Sequence, residues 1–408
     1  MKISIIAYFF KPDEAIGAVR PENWANWLSH ENDVTVITKG LRNATFQSSE
    51  VYKIARTKSL TISTIEFFNS IRKKLRNSNP TTKSNTSLHP PTNIKISSGV
   101  IGYRMPCLHD FWFFSSFMSL FKTDPELIIA THSPYINLIT AYIFCLFHPN
   151  VLLWVDFRDL WSEHYTTKGL PPFRKIEKVF EQKILSRANI VSTVSEGMAN
   201  KLSYARRGKS KPIVIYNSPI IGCDKIKVAH NRHFKGLSLC YTGTIYSGLQ
   251  DPSPLFKLFA KLYKDRNIGP DNVRLTVASR NPGNLVDMIA TYKVNPFVNY
   301  VGSLKREDAI RLQMESDILL LMEFSTPNAP GMIFAKVFEY LQTDKPILLI
   351  GPDNKSELFR LLNKHNRLIN IDDLTEIIKG SKKLRKCEPV DYAELSREQL
   401  FSVIESIK

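Results

Sequence analysis

The segment PGMIFAKVFEYLQTDKPILLIG, residues 330–351, sets Lys336 and Glu339 three positions apart inside an otherwise apolar run. On a helix this spacing puts both side chains on one face, while Phe334, Val337, Phe338 and Leu341 cover the rest of the cylinder. A cation and a carboxylate so placed can close a structural ion pair at a helix edge. They can also face a ligand together, with Lys336 countering diphosphate charge and Glu339 accepting hydrogen bonds from ribose hydroxyls. Arg280, at the end of LTVASR, is a second phosphate candidate or a plain surface arginine. The chain contains no Asp-x-Asp, the pattern expected where a divalent cation bridges a diphosphate to carboxylates, so no metal is expected.

The elements that must carry these residues alternate along the chain. KISIIAYFF reads as a central parallel strand, followed by a loop with Gly17, a helix, and the strand DVTVITKG. That order begins a doubly wound sheet. LIIATH (127–132), VLLWVDFRD (151–159) and NIVSTVS (189–195) continue it, and KPIVIYNSP (211–219) closes the half. After a short polar, cationic stretch the rhythm restarts with LSLCYTGTIYSG, which holds Gly243, and runs on through VRLTVASR, FVNYVGSL, DILLLMEF and KPILLIG. The expected architecture is α/β with two Rossmann-like domains of parallel sheet facing a cleft. The first spans 1–218, a linker 219–236, the second domain 237–390, and a C-terminal helix over 391–408 packs back on the first domain. Ligands of such sheets sit beyond the carboxyl ends of strands. Gly17, Gly243 and the Lys336–Glu339 segment all follow strands, although a tight turn explains each glycine equally well.

A length of 408 residues fits two domains of about 200 residues each, and an apolar fraction of 43% is ordinary for a globular protein. The net charge of +17 calls for an anionic partner. Nucleic acid is not expected, because the basic residues are dispersed and no RNP-like, zinc-finger or helix-turn-helix pattern occurs. The five cysteines stand singly, and the first residues read as a strand rather than a secretory leader, so a reduced, cytoplasmic setting is expected. YINLITAYIFCLF (135–147) falls short of the roughly 20 residues of a membrane span and reads as a buried helix. Residues 77–98, rich in Ser, Thr, Asn and Pro, read as a mobile loop. The stretch 61–76 has apolar residues at helical spacing and ends in Arg72, Lys73, Lys74 and Arg76. With FWFFSSFMSLF (111–121) it suggests contact with the anionic inner face of a membrane, or else a core-facing helix with a solvated basic end.

YFFKPDEAIGAVRPENWANWL, WVDFRDLW, STVSEGM, VIYNSP, CYTGTIYSG and AKVFEYLQTDKPILLIGP occur in order from residue 1 to about 350. Together they resemble family 4 retaining glycosyltransferases of the GT-B fold, and look most like bacterial members that build surface polysaccharide such as O-antigen, capsule or exopolysaccharide. The resemblance implies a nucleotide-sugar donor, UDP- or GDP-linked, held mainly by the C-terminal domain. It also implies a glycan or polyprenyl-linked saccharide acceptor on the N-terminal side. It makes Glu339 the ribose-binding glutamate, with Lys336 beside it in Lys-x-x-Glu. Gly17 is then the loop glycine near diphosphate and acceptor, Gly243 and Thr244 the phosphate-side turn, and His132 of ATHSP the histidine at the donor sugar. Arg158 and Asp159 would line the cleft, or Asp159 would cap a helix. Two positions depart from the pattern. Gly331 stands where the first glutamate of Glu-x7-Glu belongs, and Gln250 stands where a cation after the TGT turn is usual, leaving that duty to Lys336 or Arg280. A sugar-nucleotide epimerase of the same fold and a non-catalytic scaffold of a polysaccharide assembly complex are the competing readings.

Overall fold

The structure is a computed structural model that describes residues 1–13, 16–40, 45–48, 51–59, 104–164, 169–206, 209–219, 234–324, 333–351 and 355–408. The expected loop 77–98, the basic stretch 61–76, residues 220–233 of the expected linker and Gly331 lie outside the described residues. The chain divides into two compact units, Met1–Ile215 with Leu400–Lys408, and Tyr216–Gln399.

The first unit is built on an eight-stranded sheet. Its strands are β1 (Lys2–Ile6), β2 (Asp33–Gly40), β3 (Thr45–Ser48), β4 (Lys53–Lys58), β5 (Leu127–Thr131), β6 (Leu152–Phe157), β7 (Ile190–Thr193) and β8 (Ile213–Val214), in the order β3-β4-β2-β1-β5-β6-β7-β8. All neighbours are parallel except β3, which runs antiparallel to β4 at the edge. Every residue of β5 is buried, as a strand covered by helices on both faces requires. β3 and β4, TFQS and KIARTK, carry polar and charged residues instead of an apolar run, so the sequence pattern does not announce them as strands. The chain fills one side of β1 first and then crosses to β5 on the other. The order therefore reverses between β1 and β5, the switch point at which such sheets open a crevice.

The second unit repeats this plan with six parallel strands. These are β9 (Leu237–Thr242), β10 (Val273–Ala278), β11 (Val298–Gly302), β12 (Ile318–Met322), β13 (Ile347–Ile350) and β14 (Leu368–Ile369), ordered β11-β10-β9-β12-β13-β14. The period of two divides the core cleanly. Leu239, Tyr241, Leu320 and Met322 pack on one face with Leu255 and Phe256. Cys240, Leu319 and Leu321 pack on the other with Val337, Phe338 and Leu341. Here the switch point lies between β9 and β12. Gly17 and His132 follow β1 and β5, and Gly243 and Lys336 follow β9 and β12, so the candidate residues flank the two switch points.

Candidate functional site

In the second unit, helix Ala335–Leu341 buries Val337, Phe338 and Leu341 and leaves Lys336 and Glu339 half-buried on its other side. The two do not form an ion pair with each other. Lys336 Nζ donates to Tyr241 Oη at 2.8 Å and sits 3.9 Å from the centre of the same ring. The Tyr241 hydroxyl in turn donates to the carbonyl of Thr244 at 2.7 Å. Burial pulls the Lys336 ammonium down to about 7, against a smaller opposing effect of the Glu339 charge. Gly243 has φ +118°, and a Cβ there would lie 2.9 Å from Lys336 Nζ and 3.2 Å from its Cε. The positive φ favours glycine, and a side chain there would also push the end of Lys336 aside. Gly243, Thr244, Tyr241 and Lys336 thus form one cluster at the carboxyl end of β9, with an exposed glycine backbone beside a near-neutral amine.

Glu339 Oε1 instead accepts from Arg306 Nη2 at 2.5 Å. The arginine opens helix Arg306–Glu315 after β11, and its Nε is buried without a hydrogen-bond partner among the described residues. The second Glu339 oxygen accepts from no described residue, so one half of the carboxylate is held and the other half is available. Arg306 and Tyr241 escaped the sequence reading. Each acts only across the fold, over 33 residues to Glu339 and 95 to Lys336, and the one local signal was the place of each at the end or just past the end of a strand. Arg280 is exposed two residues beyond β10 and takes part in none of these contacts. Gln250 does not face a ligand position. It is buried, donates to the Met322 carbonyl at 2.7 Å and accepts from the Tyr246 amide at 3.1 Å, tying the turn to β12.

In the first unit Gly17 lies inside helix Ile16–Leu28 rather than in a loop before it. Pro21 has no N–H to give the Gly17 carbonyl, which would otherwise be its i−4 partner. Arg158 Nη1 donates to that carbonyl at 2.6 Å, while its Nε donates to the His132 carbonyl. One guanidinium therefore fastens the two chain segments that leave the switch point. His132 is buried and stacks on Tyr135 at 4.0 Å, which stacks on Trp161 at 4.5 Å. Burial first, then the charges of Arg158 and His164, push the imidazole well below its ordinary range, so it is neutral at physiological pH. Its Nδ1 has no hydrogen-bond partner among the described residues. Among the described residues the next helix begins at Pro171 with Leu170 at its N-cap, so Asp159 is not its cap.

Below this crevice, Arg20 makes a bidentate pair with Asp156 at 2.8 and 2.9 Å and also donates to the Ile215 carbonyl. Thr131 and Ser192 add hydrogen bonds to the same carboxylate at 2.9 and 2.7 Å. Burial alone would raise Asp156, but the Arg20 charge and these bonds outweigh it and hold the carboxyl below its usual range. Among the described residues no three His, Cys, Asp or Glu side chains converge as a metal site.

No protein-family model and no curated protein sequence matches the chain. Solved structures do. UDP-GlcNAc 2-epimerase from Methanocaldococcus jannaschii superposes with a TM-score of 0.51 at 12% identity, over 100% of both chains. A glycosyltransferase from Rickettsia africae matches with a TM-score of 0.52 at 13% identity, over 98% of this chain and 94% of that one. A structure described as trehalose-6-phosphate from E. coli bound with UDP-2-fluoro glucose matches with a TM-score of 0.54 at 10% identity, over 100% and 96%. The fold is GT-B. Identities this low carry the GT-B architecture and not the chemistry, which rests on the residues described above.

Proposed function

We propose that this chain is a glycosyltransferase that moves a sugar from a nucleotide-sugar donor, UDP- or GDP-linked, to a glycan or lipid-linked saccharide, with retention of configuration, in bacterial surface-polysaccharide assembly. The observation that carries the reading is the cluster at the β9/β12 switch point. An exposed glycine turn, a lysine whose amine lies against that turn, and a half-satisfied carboxylate stand where an open α/β sheet binds its ligand. In this reading the Gly243 and Thr244 backbone and Lys336 meet the diphosphate, and the available Glu339 oxygen accepts from the ribose hydroxyls. As the bond to the sugar lengthens, negative charge builds on the diphosphate. Lys336, which takes up a proton from solvent as the anion binds, stabilises it most where that charge is greatest. Arg280 is exposed beyond the adjacent strand and supplies long-range attraction. His132, held neutral by burial, is no general acid at physiological pH. A cytoplasmic setting goes with this donor chemistry.

The full-length match to a UDP-GlcNAc 2-epimerase supports a second reading in which donor is isomerised without any acceptor. A thermal-shift screen of the purified chain against UDP-, GDP-, dTDP- and CMP-sugars tests both, since a ligand at a hundred times its Kd stabilises by about 2.7 kcal/mol. A selective shift that disappears in Glu339→Ala supports the site. Conversion of UDP-GlcNAc with no acceptor present would favour the epimerase, and no shift with any nucleotide sugar would overturn both.

A further inference from the structure

Helix Trp112–Thr123 buries Trp112, Ser116, Ser119 and Leu120 against the first unit and turns a different face outward. Phe114, Met118 and Phe121 stand on that outward face with 70%, 59% and 50% of their surfaces exposed, and Phe111 continues the stripe at 55%. The spacing of three and four residues keeps them on one side of the helix. Phe121 packs against Phe144 of the neighbouring helix Ile136–Phe147, whose end adds Phe147 at 72% exposed. Scattered exposed apolar residues need no explanation, but a contiguous run of four phenylalanines and a methionine does.

The rim of this face is cationic. Lys122 follows Phe121 on the same helix and is exposed. Lys58 is exposed beside the helix, its carbonyl accepting from Ser115 Oγ at 2.7 Å. Arg187 donates to the Cys145 and Pro149 carbonyls at the end of the neighbouring helix. The nearby carboxylates are already engaged, since Asp124 pairs with the Lys2 ammonium at 2.9 Å and Glu126 accepts from the Lys2 amide. An apolar stripe ringed by cations, on a chain with net charge +17, is complementary to a surface that is apolar below and anionic above. No helix among the described residues is long and apolar enough to cross a membrane, so such contact would be peripheral.

We infer that the outward face of helix Trp112–Thr123, with Phe147 beside it, is a docking surface for an anionic lipid bilayer. The phenylalanines enter the boundary between headgroups and acyl chains, and Lys58, Lys122 and Arg187 contact lipid phosphates. A second copy of the chain is the poorer fit, because it would bring two strongly cationic molecules together. This inference does not depend on the donor site.

The test is flotation of the full chain with vesicles of phosphatidylcholine alone or containing phosphatidylglycerol, at low and high salt. The chain is expected to float with the anionic vesicles and to be released by salt. Phe114→Ser with Phe121→Ser should lower vesicle partitioning roughly tenfold or more, and Lys58→Glu with Lys122→Glu should abolish the preference for anionic lipid. All four side chains are exposed, so an unchanged melting temperature and retained nucleotide-sugar stabilisation would separate lost docking from lost folding. Failure of the parent chain to float, or equal flotation of the phenylalanine variant, overturns the inference. So does a parent dimer that the phenylalanine substitutions turn into a monomer while vesicles bind neither form.

Discussion

The two units place residues at the same topological position and use them differently. At the β1/β5 switch point the charged groups engage one another, although His132 Nδ1 is left without a partner among the described residues. Arg158 spans the Gly17 and His132 carbonyls, and Arg20 and Asp156 close a buried pair that Thr131 and Ser192 complete. At the β9/β12 switch point the groups are held but not used up, with Lys336 leaning on a tyrosine ring and Glu339 bound through one oxygen. The first arrangement makes a rigid rim, whereas the second leaves capacity for a ligand. Substitutions in the first unit should therefore act on stability, and those in the second on binding.

The largest effect is expected from Arg20→Ala, which leaves Asp156 charged and fully buried. Loss of one partner of such a pair costs about 3–5 kcal/mol, to be seen in denaturant unfolding. An effect below about 1 kcal/mol would break the comparison. Arg158→Ala leaves the Gly17 carbonyl without its donor and takes one donor from the His132 carbonyl, and should cost about 1–3 kcal/mol, again with nucleotide affinity little changed.

Glu339→Ala should do the reverse. Its partner Arg306 is one-third exposed and can be rehydrated, so stability should fall by less than about 1 kcal/mol. Donor affinity, measured by calorimetry, should drop about ten- to a hundredfold through lost hydrogen bonds to a charged acceptor.

The subtlest test is a pH profile. With Lys336 at about 7 in the free protein, binding of a diphosphate at higher pH is coupled to uptake of a proton from solvent by the lysine. Affinity should then weaken by up to about tenfold per pH unit above 7, until the higher pKa of the complex is reached. Lys336→Arg, charged throughout, should flatten the slope. Stability should move the opposite way. An unfolded lysine titrates near 10.5 and binds more protons than the folded one between 7 and that value, so the native state gains as pH rises across this window.

The doubly wound sheets were legible in the sequence because parallel strands buried on both faces must be nearly continuous apolar runs, and β1, β5, β9 and β12 are. The edge pair β3 and β4 obeys no such demand, and polar residues hid it. The candidate site was legible as far as local spacing reaches, which covers Gly243, Lys336 and Glu339. Which charge meets which was not, because Glu339 finds Arg306 and Lys336 finds Tyr241 through the chain path and not along one helix. Gly17 reads as part of a loop after β1, whereas it lies in the helix, where Pro21 leaves its carbonyl without the usual amide and the remedy sits 141 residues away in Arg158.

That remedy joins two sequence positions into a single heritable trait. Replacing Pro21 by alanine would restore an amide that competes with Arg158 for the Gly17 carbonyl, and replacing Arg158 alone would leave that carbonyl stranded. In descendants of this chain the proline and the arginine should accordingly be exchanged together, and the order of exchange should favour the alanine first, since only that path passes through a fully bonded helix.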